Sequence, residues 1–119
     1  MKTNIQVKRH KKRISKKLLS QITRNILENF NPYKIILFGS LAWGYPSTES
    51  DIDILIIMDL EESPISKEAE ISLKAKPPYI PMDILVRTPE QIQQRLEIGD
   101  PFICRIIEEG KVLYERAIS

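Results

Sequence analysis

Apolar residues recur at three- and four-residue steps through Ile14, Leu18, Leu19, Ile22, Ile26, Leu27 and Phe30. That period predicts an amphipathic helix over about residues 12–29, one stripe turned inward and Lys16, Lys17 and Arg24 left in water. Asn31-Pro32 ends it, because the proline ring disfavours helical backbone in the residue before it. The pattern then changes: Lys34 to Phe38 and Ile52 to Met58 are near-continuous apolar runs, as expected of strands buried on both faces. Met82 to Val86 is a shorter run holding one acid, Asp83, and predicts a third strand. Ser63-Pro64 pairs a capping residue with a proline at the first helical position, which predicts a helix to about Ala75, ended by Pro77, Pro78 and Pro81. Thr88-Pro89-Glu90 and Asp100-Pro101 repeat the signal and predict helices to about Leu96 and Glu109, with Gly110 as the C′ residue of the second. Val112 to Tyr114 predicts a last edge strand.

These elements imply an α/β (α+β) fold with a mixed sheet of three to four strands and helices packed on it. At 119 residues the chain fits one domain, and such a domain buries about 60–70% of the surface its unfolded chain exposes. The expected organisation of residues 1–119 is a basic arm (1–13), an amphipathic helix (14–29) and a core (30–116), without repeats or linkers.

Chemistry concentrates in the run Gly39 to Asp53, GSLAWGYPSTESDID, where a Gly-Ser pair stands ten residues before an Asp-x-Asp. Side chains alternate along a strand, so Asp51 and Asp53 point the same way with Cα atoms about 6.5–7 Å apart. Two carboxylates sharing a site raise one another's pKa unless a cation stands between them. Hard divalent ions such as Mg²⁺ take one or two carboxylates from a protein and phosphate oxygens from a substrate, and two ions about 3.5–4 Å apart serve in-line phosphoryl chemistry. Asp83 is the natural third ligand if its strand lies beside the second. Gly39 and Ser40 follow the first strand, where a glycine lets backbone approach a phosphate and the hydroxyl adds a donor; residues 40–44 are the expected short helix. Each piece alone has a plain reading as a turn, a cap or an exposed strand residue. The combination is what points to a nucleoside triphosphate and its metals.

Charge is uneven. Residues 1–24 carry nine Lys or Arg and no acid, a formal +9, whereas the other nine basic residues face all sixteen acids, a formal −7. The arm reads as a solvated segment, with docking on nucleic acid or an acidic partner as the other reading. No apolar stretch is long enough to span a membrane and no signal-peptide core follows the basic start. Cys104 is the only cysteine, so no internal disulfide is expected and a reducing cytoplasm is the simplest compartment. Cys104 itself reads as core or interface, and His10, amid lysines, as a solvent residue.

With these residues in hand, the chain resembles the minimal nucleotidyltransferases, small relatives of the DNA polymerase β superfamily. Their pattern of Gly-Ser, ten residues, Asp-x-Asp and a later strand Asp is matched by Gly39, Ser40, Asp51, Asp53 and Asp83, and the close Glu109 to Glu115 is similar to theirs. The resemblance covers residues 30–116. It implies transfer of a nucleoside monophosphate, commonly AMP from ATP or another NTP, to an acceptor hydroxyl with two Mg²⁺ (or Mn²⁺) ions. Asp51 and Asp53 would hold both metals, Asp83 the one that activates the hydroxyl, and Gly39 and Ser40 the β- and γ-phosphates. Members this short commonly act as antitoxins paired with a HEPN-type ribonuclease toxin, which they modify, plug, or both, so an oligomer with that partner is expected. One departure stands out: where the family often reads Gly-Ser-Arg-Ala-Arg-Gly, Leu41 and Trp43 replace the two arginines. Lys34 or the basic arm are the candidate substitutes for that charge, and Trp43 reads as a core cover or a base-stacking platform. The leading expectation is AMP transfer to a partner protein. The alternative is a weakly active or inactive module that neutralises a toxin by contact.

Overall fold

The computed structural model describes residues 14–44, 51–77 and 80–117; the basic arm, His10 and Pro78 lie outside them. Helix α1 (Lys16–Asn29) leads to strand β1 (Lys34–Phe38), the one-turn helix α2 (Ser40–Trp43), β2 (Ile52–Ile57), α3 (Pro64–Ala75), β3 (Met82–Arg87), α4 (Pro89–Glu97), α5 (Pro101–Glu109) and β4 (Lys111–Glu115). The strands form one mixed sheet in the order β3-β2-β1-β4. β1 runs antiparallel to both β2 and β4, and β2 runs parallel to β3. A parallel pair needs a crossover, and α3 supplies it.

The apolar runs are continuous because both faces of the sheet are covered. Ile35, Leu37, Ile54, Ile56 and Val86 pack with Ile22 and Ile26 of α1 and Ile71 of α3. Ile36, Leu55 and Ile57 pack with Ile92 of α4 and with Ile103 and Ile106 of α5. Strand β2 lies inside both layers, with Ile54, Leu55 and Ile56 fully buried. Removing a full Ile or Leu side chain there would cost about 2–5 kcal/mol.

Local chemistry sets the ends. Helix α1 begins at Lys16, later than its apolar period suggests, because the Ser15 hydroxyl accepts from the Leu18 N–H at 3.2 Å and fixes Ser15 as an extended cap. Ile14 lies before that cap yet still packs on the core. Helix α4 opens with a reciprocal capping box between Thr88 and Gln91, and the Asp100 carboxylate accepts from the Phe102 and Ile103 N–H groups to open α5. Gly110 corrects one expectation. It is the C-cap, not the C′ residue, in extended backbone at φ −70° and ψ 162°. Glycine is needed there for space, since a Cβ would stand 2.5 Å from both the Ile106 carbonyl oxygen and Ile36 Cγ2. On edge strand β3 the Val86 N–H donates to the Glu68 carboxylate at 2.9 Å, so α3 satisfies part of the open edge. Among the described residues no helix is long and apolar enough to cross a membrane.

Candidate active site

Register brings the acids and the glycine turn to one end of the sheet. Phe38, the last residue of β1, pairs with Asp53, and Asp53 pairs in turn with Asp83 on the parallel neighbour. The two-residue period continues the Leu55 and Ile57 row into Asp53 and Asp51, and the Leu85 row into Asp83, so the three acids face the α4/α5 side. Asp51 and Asp53 are half-buried, whereas Asp83, on the edge strand, is exposed. Asp53 therefore has both Asp51 and Asp83 as close neighbours.

The turn after β1 is held against this row. Gly39 has φ 80° and ψ −163°, a region L-residues rarely enter. A Cβ added to it would collide with the Asp53 carboxylate. Backbone and carboxylate thus approach as closely as only glycine allows. The Gly39 carbonyl oxygen accepts from the Ala42 and Trp43 N–H groups at 3.0 and 2.9 Å, which winds Ser40–Trp43 into the expected single turn, and Gly44 ends it in the left-handed conformation.

Crowding like charges has an electrostatic consequence. Burial, and then the neighbouring Asp83 and Asp51 charges and a hydrogen bond with Asp83, raise the Asp53 pKa from 3.8 to about 6. Without a cation, Asp53 therefore holds its proton to a higher pH than an ordinary carboxyl does. Among the described residues no three or more His, Cys, Asp or Glu side chains form a ready-made cation cage. Mg²⁺ seldom uses one, because substrate phosphates complete its shell. A carboxylate whose ionisation is opposed by burial and by two neighbouring acids is the donor type a divalent cation stabilises, so Asp51, Asp53 and Asp83 fit such an ion.

Two residues named from the sequence, Lys34 and Trp43, bear on the charge that the turn lacks. Lys34 is at the far end of β1, four residues and about 13 Å from Phe38, and pairs with Glu115 at 3.6 Å. It cannot serve the site. Trp43 is half-buried and lies outside both core clusters, and the Arg105 guanidinium of α5 stacks on its ring at 4.4 Å from the centroid. One turn earlier on α5, Phe102 meets Phe38 edge to face at 5.6 Å. Helix α5 is thus fastened to both ends of the segment Phe38–Trp43. Arg105 also pairs with Glu109 at 3.1 Å, but both side chains are over half exposed (51% and 56%), so that pair is worth only about 0.3–0.5 kcal/mol. Sequence reasoning did not single out Arg105. The available signal was an arginine three residues after Phe102 on a helix whose Ile103 and Ile106 are buried. Cys104 is half-buried and free, in keeping with a packing role.

Known proteins share the sequence and fold of this chain. The family described as "Polymerase beta, Nucleotidyltransferase" matches residues 20–119. A protein of Methanocaldococcus jannaschii named "Putative protein adenylyltransferase MJ0604" is 37% identical over 82 residues, covering 68% of this chain and 77% of its own length. Among solved structures, one titled as a putative nucleotidyltransferase from Sulfolobus solfataricus superposes with a TM-score of 0.60 at 21% identity, covering 84% of this chain and 79% of that one; at that identity it speaks for the fold. The mixed four-stranded sheet with Gly39 held against the Asp51/Asp53/Asp83 row is therefore that of a relative of polymerase β: the chain belongs to the polymerase β nucleotidyltransferase family.

Proposed function

We propose that the chain transfers AMP from ATP to a hydroxyl of a partner protein, using Asp51, Asp53 and Asp83 with Mg²⁺ and the Gly39-Ser40 turn. The observation that supports this best is the register Phe38–Asp53–Asp83, which lines three carboxylates beside a glycine turn at one end of the sheet. Transfer to protein follows the name carried by the Methanocaldococcus relative.

In the reaction the acceptor oxygen bonds to the α-phosphorus, the bond from that phosphorus to the α–β bridging oxygen breaks, and pyrophosphate leaves. Bound Mg²⁺ would neutralise phosphate charge and lower the acceptor hydroxyl's pKa. The chain's own residues do the positioning. Gly39 and Ser40 seat the departing β- and γ-phosphates, as backbone can come close only where no Cβ intervenes. Asp51 and Asp53, half-buried, anchor the cation side. Asp83, exposed on edge strand β3, stands where a second protein can reach it; by the family resemblance it would hold the cation that activates the acceptor hydroxyl, and its carboxylate is the candidate acceptor of the released proton. For the partner we propose a HEPN-type ribonuclease toxin in the cytoplasm, with this chain as its antitoxin; that rests on the family resemblance of the motif.

Intact-mass measurement of the co-purified partner after incubation with ATP and Mg²⁺ tests the reading. One added AMP mass, lost in Asp51→Asn and Asp53→Asn, is expected. Neutralisation of the partner with no mass gain, unchanged in both variants, would replace transfer by inhibition through contact. The absence of any Lys or Arg from Gly39 to Gly44 is the observation on that side.

A further inference from the structure

The turn Gly39–Trp43 has no cation of its own, yet a triphosphate seated there brings several negative charges next to three carboxylates. A guanidinium reaches the turn from another element: Arg105 of α5 lies over the Trp43 ring at 4.4 Å from its centroid. Four features of this contact bear on its use. Trp43 closes the turn through its N–H bond to the Gly39 carbonyl oxygen at 2.9 Å, so a group fixed on Trp43 is fixed relative to Gly39. The rise from Gly39 to Trp43 is only about 6 Å, within the sweep of an arginine side chain. Phe102, on the same side of α5, is anchored on Phe38 at 5.6 Å, which sets the base of the Arg105 side chain. Its other partner is the half-exposed Glu109 at 3.1 Å on the same helix, a contact that solvent screens and a polyphosphate can displace.

We propose that Arg105, held on the Trp43 ring, is the polyphosphate-binding cation of this site and that Trp43 is its positioning residue. The turn thereby recruits from α5 the positive charge that its own sequence lacks. A guanidinium over a ring keeps its N–H groups in its own plane, and once the Nε–H bond to Glu109 is given up they can donate in the bidentate geometry of phosphate recognition. It also covers one face of Trp43, which removes that face as a platform for a nucleobase.

The inference rests on the nucleotide-site reading above, and calorimetric titration in Mg²⁺ with ATP, AMP and inorganic pyrophosphate separates the two. The wild-type chain should bind ATP and pyrophosphate. Arg105→Ala should weaken both about tenfold or more and leave AMP affinity unchanged, with Arg105→Lys partly restoring them. Trp43→Leu should weaken ATP less than Arg105→Ala does, and Glu109→Gln should tighten it by freeing the guanidinium. Because Arg105 is half exposed, its variants should unfold at the wild-type temperature, which sets aside misfolding. If the wild type binds ATP through Asp51 and Asp53 while Arg105→Ala binds it equally well, the role of Arg105 is overturned and the nucleotide site stands. If Arg105→Ala weakens AMP as much as ATP, the polyphosphate assignment is overturned. If the wild type binds neither ATP nor pyrophosphate, both fall.

Discussion

At Gly39 two constraints meet: a backbone at φ 80° and a carboxylate in the space a Cβ would take. Gly39→Ala would strain the first and displace the second. We expect a loss of about 1–3 kcal/mol in urea unfolding together with lost ATP binding, whereas Gly44→Ala, with φ 90° but open space around it, should cost about 1 kcal/mol from strain alone. Asp53 supplies a pH signature. Its pKa rises to about 6 on folding, chiefly through burial and then through Asp83 and Asp51. A carboxyl raised in this way stabilises the fold below its unfolded pKa near 4, and that contribution is lost as pH climbs through about 6. Above about pH 6 the ionised group therefore opposes folding. The full shift corresponds to about 3 kcal/mol, which solvent at this half-buried site reduces to about 1 kcal/mol. Asp53→Asn should accordingly raise the metal-free melting temperature at pH 7.5, with a gain that shrinks toward pH 4; a gain independent of pH would exclude the carboxylate as its source. Mg²⁺ should stabilise the wild type more than the variant.

Helix α5 connects the residues of the turn to the rest of the fold. Its N-terminus depends on the Asp100 carboxylate, which accepts from Phe102 at 2.9 Å and Ile103 at 3.3 Å. Asp100→Ala should cost about 1 kcal/mol and Asp100→Asn markedly less, measured by denaturant midpoint. Its C-terminus has no room for a Cβ at Gly110, so Gly110→Ala should cost about 1–3 kcal/mol through overpacking against Ile36 and the Ile106 carbonyl. Strands β1–β3 and helices α3–α5 were legible because their local signals agree with their burial: continuous Ile and Leu runs, and cap-proline pairs at Ser63, Thr88 and Asp100. The acids at 51, 53 and 83 were legible as a motif. The shared face of Asp51 and Asp53 was legible too, but the place of Asp83 beside them was only conditional, since it depends on β3 aligning Asp83 with Asp53 across 30 residues of chain. Gly110 was expected at the helix end, but one position off and for the wrong cause, as a steric requirement set by a neighbouring strand has no local sequence signal. Arg105 and Lys34 show the same limit: which cation reaches the turn is decided by tertiary packing, not by nearness in sequence.

Over the molecule as a whole, the sheet separates support from chemistry. Its two faces are filled by α1 with α3 and by α4 with α5, and the carboxylates emerge at one end, where β1 finishes and β2 and β3 begin. Asp83 is on the edge strand and exposed, which under the proposed function makes the β3 side the approach for a protein acceptor. Such an arrangement suits a small domain that modifies a partner in trans. The proposed nucleotidyl transfer leaves the α-phosphate of ATP on the partner, whereas phosphoryl transfer would leave the γ-phosphate. Incubating the co-purified complex and Mg²⁺ with ATP labelled at either phosphorus distinguishes them. Protein-bound label from α-labelled ATP, none from γ-labelled ATP, and none in Asp51→Asn or Asp53→Asn is the expected result; γ-label on the protein, or α-label that persists in both variants, would contradict it.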